Sequence, residues 1–191
     1  MAVWFSADSH HGHANIIKYA NRDFPDVETM DEVLIERWNS LVRPGDIVWH
    51  LGDFALTKPE KVIEYRKRLT GQIHLILGNH DREKVVSKAG FASINKLKTV
   101  KIGETILVLC HFAMRVWDRQ HYGSCQLYGH SHGTLKDDPN LRSMDVGVDC
   151  HQFYPISLET VLGVMKTKSW IPIDHHGKEE EEDGSGAGEG V

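Results

Sequence analysis

Cysteine is scarce in this chain of 191 residues: there are three, an odd number without paired spacing. That excludes a disulfide-stapled scaffold and leads us to expect a reducing, cytoplasmic compartment. Long hydrophobic runs are lacking as well, since none approaches the roughly 20 residues that cross a bilayer. The opening Met1-Ala2-Val3-Trp4-Phe5-Ser6 has neither the basic start nor the apolar length of a signal peptide. No membrane partner is expected. Excess positive charge is missing too. The net charge is −5, but residues 174–191 carry seven acids against the single Lys178, which leaves the rest at +1. A near-neutral body argues against dedicated binding of duplex nucleic acid. Histidine, by contrast, is abundant, with 13 residues.

Two regions are expected. From Asp174 onward the chain turns acidic and glycine-rich (GKEEEEDGSGAGEGV after His175-His176) and offers too little apolar surface to offset its ordering entropy, so 174–191 reads as a disordered tail. Residues 1–173 read as one domain. Val3 to Ala7, Asp46 to Leu51 and Ile73 to Leu77 are apolar runs of strand length. Between them lie two segments of helical spacing, each opened by an apparent capping box, Thr29-Met-Asp-Glu32 and Thr57-Lys-Pro-Glu60. A short helix is expected after Asp81, ending near Lys88. The second half is strand-rich: Ser93 to Ile102 and Glu104 to Cys110 flank Gly103 like a hairpin, and Gln126 to Tyr128, Ser143 to Val148 and Phe153 to Ile156 follow. Ser157 opens a last helix through Met165. Two βα units and a strand-rich half predict an α/β protein with mixed sheets covered by helices.

Chemistry-bearing residues stand where these strands end: Asp8-Ser-His10, Gly52-Asp53, Gly78-Asn79-His80-Asp81, His111 and Gly129-His130-Ser131-His132. Loops beyond the carboxyl ends of strands in an α/β sheet converge on one crevice, so these residues can meet although they span 125 positions. Carboxylate, amide and imidazole without thiolate suit manganese first, with iron, zinc, nickel or cobalt as alternatives. Two ions about 3.5–4 Å apart need a bridge, and Asp53 can supply one with each carboxylate oxygen. Such a pair would polarise a phosphoryl group and hold a bridging hydroxide in line with the leaving oxygen. A fixed string such as GNHD arises by chance in a chain this long on the order of once in a thousand.

On these motifs the chain resembles the calcineurin-like metallophosphoesterase superfamily, whose ordered motifs are D-x-H, G-D, G-N-H-D/E, H and G-H-x-H. It looks most similar to small bacterial or phage-type predicted phosphoesterases with D-x-H-x-G-H, here Asp8 to His13. The resemblance implies a four-layer sandwich of two mixed β-sheets flanked by helices and a dinuclear phosphomonoesterase or phosphodiesterase. It implies that Asp8, His10, Asp53 and His132 hold one ion, and that Asp53, Asn79, His111 and His130 hold the other. His80 would protonate the leaving oxygen and Asp81 would orient it. The second motif continues Phe54-Ala55-Leu56-Thr57 without the arginine of the Ser/Thr protein phosphatases, which speaks against that activity. A catalytically silent scaffold on the same fold is the alternative reading.

Other residues divide between function and packing. His50 and His74 lie within strands and read as structural. His11 and His13 flank Gly12, and two readings stay open for them, contact with substrate or, for His13, the start of the helix Ala14-Asn15-Ile16-Ile17; His151 is open too. The irregular segment Phe112 to Cys125 mixes cationic and aromatic residues, and Arg115, Trp117 and His121 are candidate contacts for a nucleotide-like substrate, with internal packing of Trp117 an equal alternative. Oligomeric state is not legible.

Overall fold

The computed structural model describes residues 1–171, so the predicted 174–191 tail and its His175-His176 pair lie outside the described residues. Two mixed sheets form, as predicted. The first has the order β4-β3-β2-β1-β9, built from β1 (Val3–Ser6), β2 (Ile47–His50), β3 (Gln72–Ile76), β4 (Ser93–Asn95) and β9 (Ile156–Ser157). Its first four strands are parallel, with Ser6, His50 and Leu75 in one row, and β9 is antiparallel to β1. The second sheet has the order β5-β6-β7-β8: β5 (Leu97–Ile102), β6 (Thr105–Cys110), β7 (Cys125–Tyr128) and β8 (Ser143–Asp145). There β5 and β6 form the hairpin around Gly103, and β6, β7 and β8 run parallel.

Both faces of the first sheet are covered, which is why its strands read as unbroken apolar runs. Phe5, Trp49, Leu51 and Ile76 pack against Leu107, Leu109, Leu127 and Met144 of the second sheet. The opposite face, through Val48, Ile73 and Leu75, packs against Ile35 and Trp38 of α2 (Val27–Leu41), Val62 of α3 (Pro59–Arg68) and Val86 of α4 (Glu83–Val86). Val161 and Met165 of α5 (Leu158–Lys166) join the core between the sheets. Because β1, β2 and β3 are parallel, their carboxyl ends leave the sheet on one edge. Parallel β6 and β7 deliver theirs together too, and a bridge between Ala7 and Gly147 ties the two sets of loops.

Several local expectations are corrected. The cap of α2 is Asp26, whose carboxylate accepts from Thr29 N–H at 2.7 Å; Thr29 is already inside the first turn. Lys58, not Thr57, precedes α3, and Pro59 starts it without a side-chain cap. The run Ser93 to Ile102 is two strands: β4 extends the first sheet, the chain crosses at Lys96, and β5 opens the second. The residues on both sides of Lys96 suit strands, so strand propensity alone does not show a change of sheet. Beyond β8 the chain turns into a short 3-10 segment, Val148–Cys150, and of Phe153 to Ile156 only Ile156 pairs as a strand. Among the described residues no helix is long and apolar enough to cross a membrane.

His50 is fully buried, its Nε2 2.9 Å from Ser9 Oγ, and burial holds its imidazole down at about 3. The unfolded chain therefore binds a proton that the folded chain refuses, so stability rises with pH between about 3 and the ordinary histidine value. We expect denaturation curves between pH 6 and 4 to be steeper in pH for the wild type than for His50→Gln, by about 1.4 kcal/mol per unit. Equal slopes would remove His50 from the acid sensitivity.

Candidate metal centre

The loops bring together two groups of three: Asp8, His10 and His132, and Asp53, His111 and His130. Within each group one donor atom per residue lies within 4.8 Å of the others. Asn79 joins the second, its Oδ1 3.1 Å from His111 Nε2. His10, Asp53, His130 and His132 line one cleft, Asn79 borders a neighbouring cavity, and Asp8 and His111 are buried behind them; neither group contains a thiolate.

The two carboxylates are set in the same way. Each uses one oxygen on backbone and leaves the other toward the cluster. Asp8 Oδ2 accepts from His130 N–H at 2.8 Å, while its Oδ1 is buried without a partner. Asp53 Oδ1 accepts from His80 N–H at 2.9 Å. Its Oδ2 lies 3.5 Å from His10 Nε2 and 3.4 Å from His111 Nε2, one imidazole from each group. The expectation of one ion per Asp53 oxygen is corrected on this point: Oδ1 is committed to backbone, and Oδ2 alone faces both sides. His10 Nε2 is buried too and makes no hydrogen bond. Orphaned buried polar atoms of this kind are costly unless a ligand completes them. An ion in each group would do so, and the residues fit.

Backbone geometry carries the same message. Asp8, His10, Asp53, His130 and His132 all have φ between 47° and 69°. That left-handed conformation costs roughly 1–2 kcal/mol for an L-residue, and such strain gathers where function over-determines the chain. Glycine makes the close approach feasible. A Cβ at Gly129 would sit 2.6 Å from Asp8 Oδ2, and one at Gly78 would run into the carboxylate of Asp53.

Electrostatics separates the groups. Burial raises Asp8 to about 7 and drives His10 down to about 3, so His10 presents a neutral imidazole. Burial alone would raise Asp53, but its bond to His111 and the nearby positive charge outweigh it and hold the carboxyl at about 2. His111 shows the converse: burial would lower it, and Asp53 raises it instead. Its Nδ1 donates to Leu51 O at 2.7 Å, fixing the tautomer that turns Nε2 toward Asp53.

The third motif departs from expectation. His80 lines the cleft, with its ring centroid 5.4 Å from that of His10. Asp81 does not orient it. Its carboxylate accepts from the backbone N–H groups of Asp53 (2.8 Å), Gly78 (2.9 Å) and Phe54 (3.0 Å). These loop amides have no strand partner, so Asp81 satisfies them and thereby positions the Asp53 loop.

The remaining histidines sort themselves. His11 is buried, 3.2 Å from Asp31 Oδ1 and stacked on Tyr65, and so belongs to packing. His13 lines the cleft with its ring 5.4 Å from His10. His74 bonds Ser93 Oγ and His151 donates to Asp145 O. In the loop after His111, Trp117 is 5% exposed and its indole N–H points to Ser124, so its ring is packed inside the loop and is not a stacking surface. Arg115 lines a separate cavity with Tyr128, Leu135 and Lys136 that contains none of the candidate ligands. His121 is half-buried against Tyr122.

Two residues without a sequence motif complete the centre. Asp149 Oδ2 lies 2.7 Å from His132 Nδ1, and Arg22 binds both oxygens of Asp149 at 2.8 Å while donating to Asp8 O. Burial would lower His132, but Asp149 and Asp8 raise it. A carboxylate behind a ligating imidazole fixes its tautomer and orientation, and its loss typically costs 10–100-fold in metal affinity. Asp149→Asn should weaken one of two binding events in a metal titration by about that factor and spare the other. Two unchanged affinities would reduce Asp149 to packing.

The chain has relatives among known proteins. The chain is 33% identical over 171 residues to an uncharacterized protein of Methanocaldococcus jannaschii, covering 86% of this chain and 91% of that protein. It is 26% identical over 179 residues to the gene 66 protein of Mycobacterium phage L5, covering 77% and 86%. A solved structure, a protein of unknown function from Aquifex aeolicus, has the same fold, with a TM-score of 0.72 at 22% identity over 85% of this chain and 98% of that one. Residues 1–144 match the calcineurin-like phosphoesterase superfamily domain, and the chain belongs to that superfamily.

Proposed function

We propose that this protein is a hydrolase of phosphate esters that works with two divalent ions, manganese being the best match to the nitrogen and oxygen donors. The observation that carries the reading is Asp53 Oδ2, which faces one imidazole of each group at 3.5 and 3.4 Å. Asp8, His10, Asp53 and His132 would hold the first ion, and Asp53, Asn79, His111 and His130 the second. When bound, the ions supply Lewis-acid polarisation of the phosphoryl oxygens and activation of water.

The chain's own residues do the rest. Asp81 and the His80 amide hold the two ends of Asp53, so its Oδ2 keeps its place as charge changes. His80 donates a proton to the leaving oxygen. The oxygen of water bonds to phosphorus as one of its protons passes to solvent, the ester P–O bond breaks, and the departing alkoxide takes the proton of His80, which solvent then restores. No covalent enzyme intermediate is required. Manganese-loaded protein should hydrolyse members of a panel of phosphomonoesters, phosphodiesters and short oligonucleotides, and lose that activity when the metal is chelated. No turnover on any of them after loading would sink the reading and favour a silent scaffold.

A further inference from the structure

Two exposed aromatic rings flank the candidate centre, one beside each ligand group. The ring of Tyr19, at the end of α1 (Ile16–Tyr19), is 76% exposed and 6.2 Å from that of His13, which lies 5.4 Å from His10 of the first ligand group. At the other end Phe112 is 47% exposed, its ring 5.0 Å from His111 and 4.7 Å from His130 of the second group. Each ring lines its own cavity. Tyr19, with Ile16 and Leu56, borders a cleft of about 340 Å³ that contains His80. Phe112, with Leu77 and Lys96, borders one of about 430 Å³ that reaches Asn79. Either volume is enough for a ring-bearing substituent.

The cavities take in different parts of the candidate centre: one is lined by His10, His80 and His132, the other by Asn79 and Asp81. A monoester has one substituent and fills one of them, so the second is surplus unless the phosphate carries a second group.

Resting on the phosphoesterase reading, we infer that the substrate is a phosphodiester with a ring-bearing group on each ester oxygen, one stacked on Tyr19 and the other on Phe112. A dinucleoside monophosphate has this chemistry. The scissile phosphate sits between the groups, and the substituent on the Tyr19 side leaves beside His80.

The test uses manganese-loaded full-length protein with thymidylyl-thymidine and, in parallel, thymidine monophosphate. The diester should be cleaved with a kcat/KM at least about tenfold higher. Tyr19→Ala and Phe112→Ala should each raise KM for the diester by about tenfold, the scale of one base–aromatic stack. The double variant should raise it by about a hundredfold, because separate stacks contribute independently. Calorimetric binding of the slowly hydrolysed phosphorothioate diester should weaken by the same factors, with two metals still bound. Preference for the monoester, or an unchanged KM in either single variant, would overturn this inference and leave the phosphoesterase reading standing. Cleavage of neither compound would also overturn this inference, and the phosphoesterase reading falls with it only if no ester of the wider panel is hydrolysed.

Discussion

Asp53→Ala should abolish hydrolysis and lower the bound metal from two ions per chain toward one or none. Both losses follow from one atom. Oδ2 faces an imidazole of each group, so its removal leaves each group short and two cations without the charge that separates them. The expected fall in turnover is large, because the shared charge supports both polarisation and nucleophile activation. Asp53→Asn is the sharper variant. It keeps shape but removes the carboxylate charge, and should also lose the second ion. Metal analysis beside turnover checks this. Two ions and near-normal activity in Asp53→Ala would show that some other residue is the bridge.

His80→Asn should keep both ions and lose activity in proportion to how poor the leaving group is. A positioned general acid contributes about 10²–10⁴-fold. That contribution matters for a ribose or alkyl oxygen, which needs its proton, and hardly at all for p-nitrophenolate, which departs without one. Turnover should therefore fall by about 10²-fold or more on nucleoside esters and by only a few-fold on p-nitrophenyl esters. Comparing the two substrates in one variant cancels changes in protein quantity and metal loading. Equal losses on both, or a missing ion, would place His80 among the ligands. Asp81→Asn carries a different expectation from the one its motif suggests. Its carboxylate holds the amides of Asp53, Phe54 and Gly78, so the variant should behave like a weakened Asp53 variant, with looser metal, rather than like His80→Asn.

The candidate ligands were legible because parallel strands of both sheets deliver their carboxyl ends to one edge, and three of those ends set glycine directly before the polar residue, in Gly52-Asp53, Gly78-Asn79 and Gly129-His130. Sequence order alone placed Asp8, Asp53, Asn79, His111, His130 and His132 in one crevice. Roles that depend on side-chain direction were not legible. Asp81 follows His80 and looks like its partner, yet the turn sends its carboxylate back to Gly78 and Asp53. His11 and His13 flank one glycine, and only the fold shows that His11 packs on Tyr65 while His13 faces the cleft. Arg22 and Asp149 are 127 positions apart, so no local pattern could join them. The crossing at Lys96 was hidden because strand-forming residues continue on both sides of it, with no glycine or proline between. Trp117 combines an aromatic face with neighbouring arginines in the sequence, but the loop turns that face inward.

The central claim is that two ions share Asp53 and act together on a phosphate ester. Stepwise titration of the metal-stripped chain with Mn²⁺, with binding and hydrolysis of bis-p-nitrophenyl phosphate followed in the same samples, tests it most directly. Hydrolysis should stay low while the first equivalent binds, rise with the second and level off at two ions per chain. Full activity at one equivalent, or two ions bound with no hydrolysis, would contradict the account.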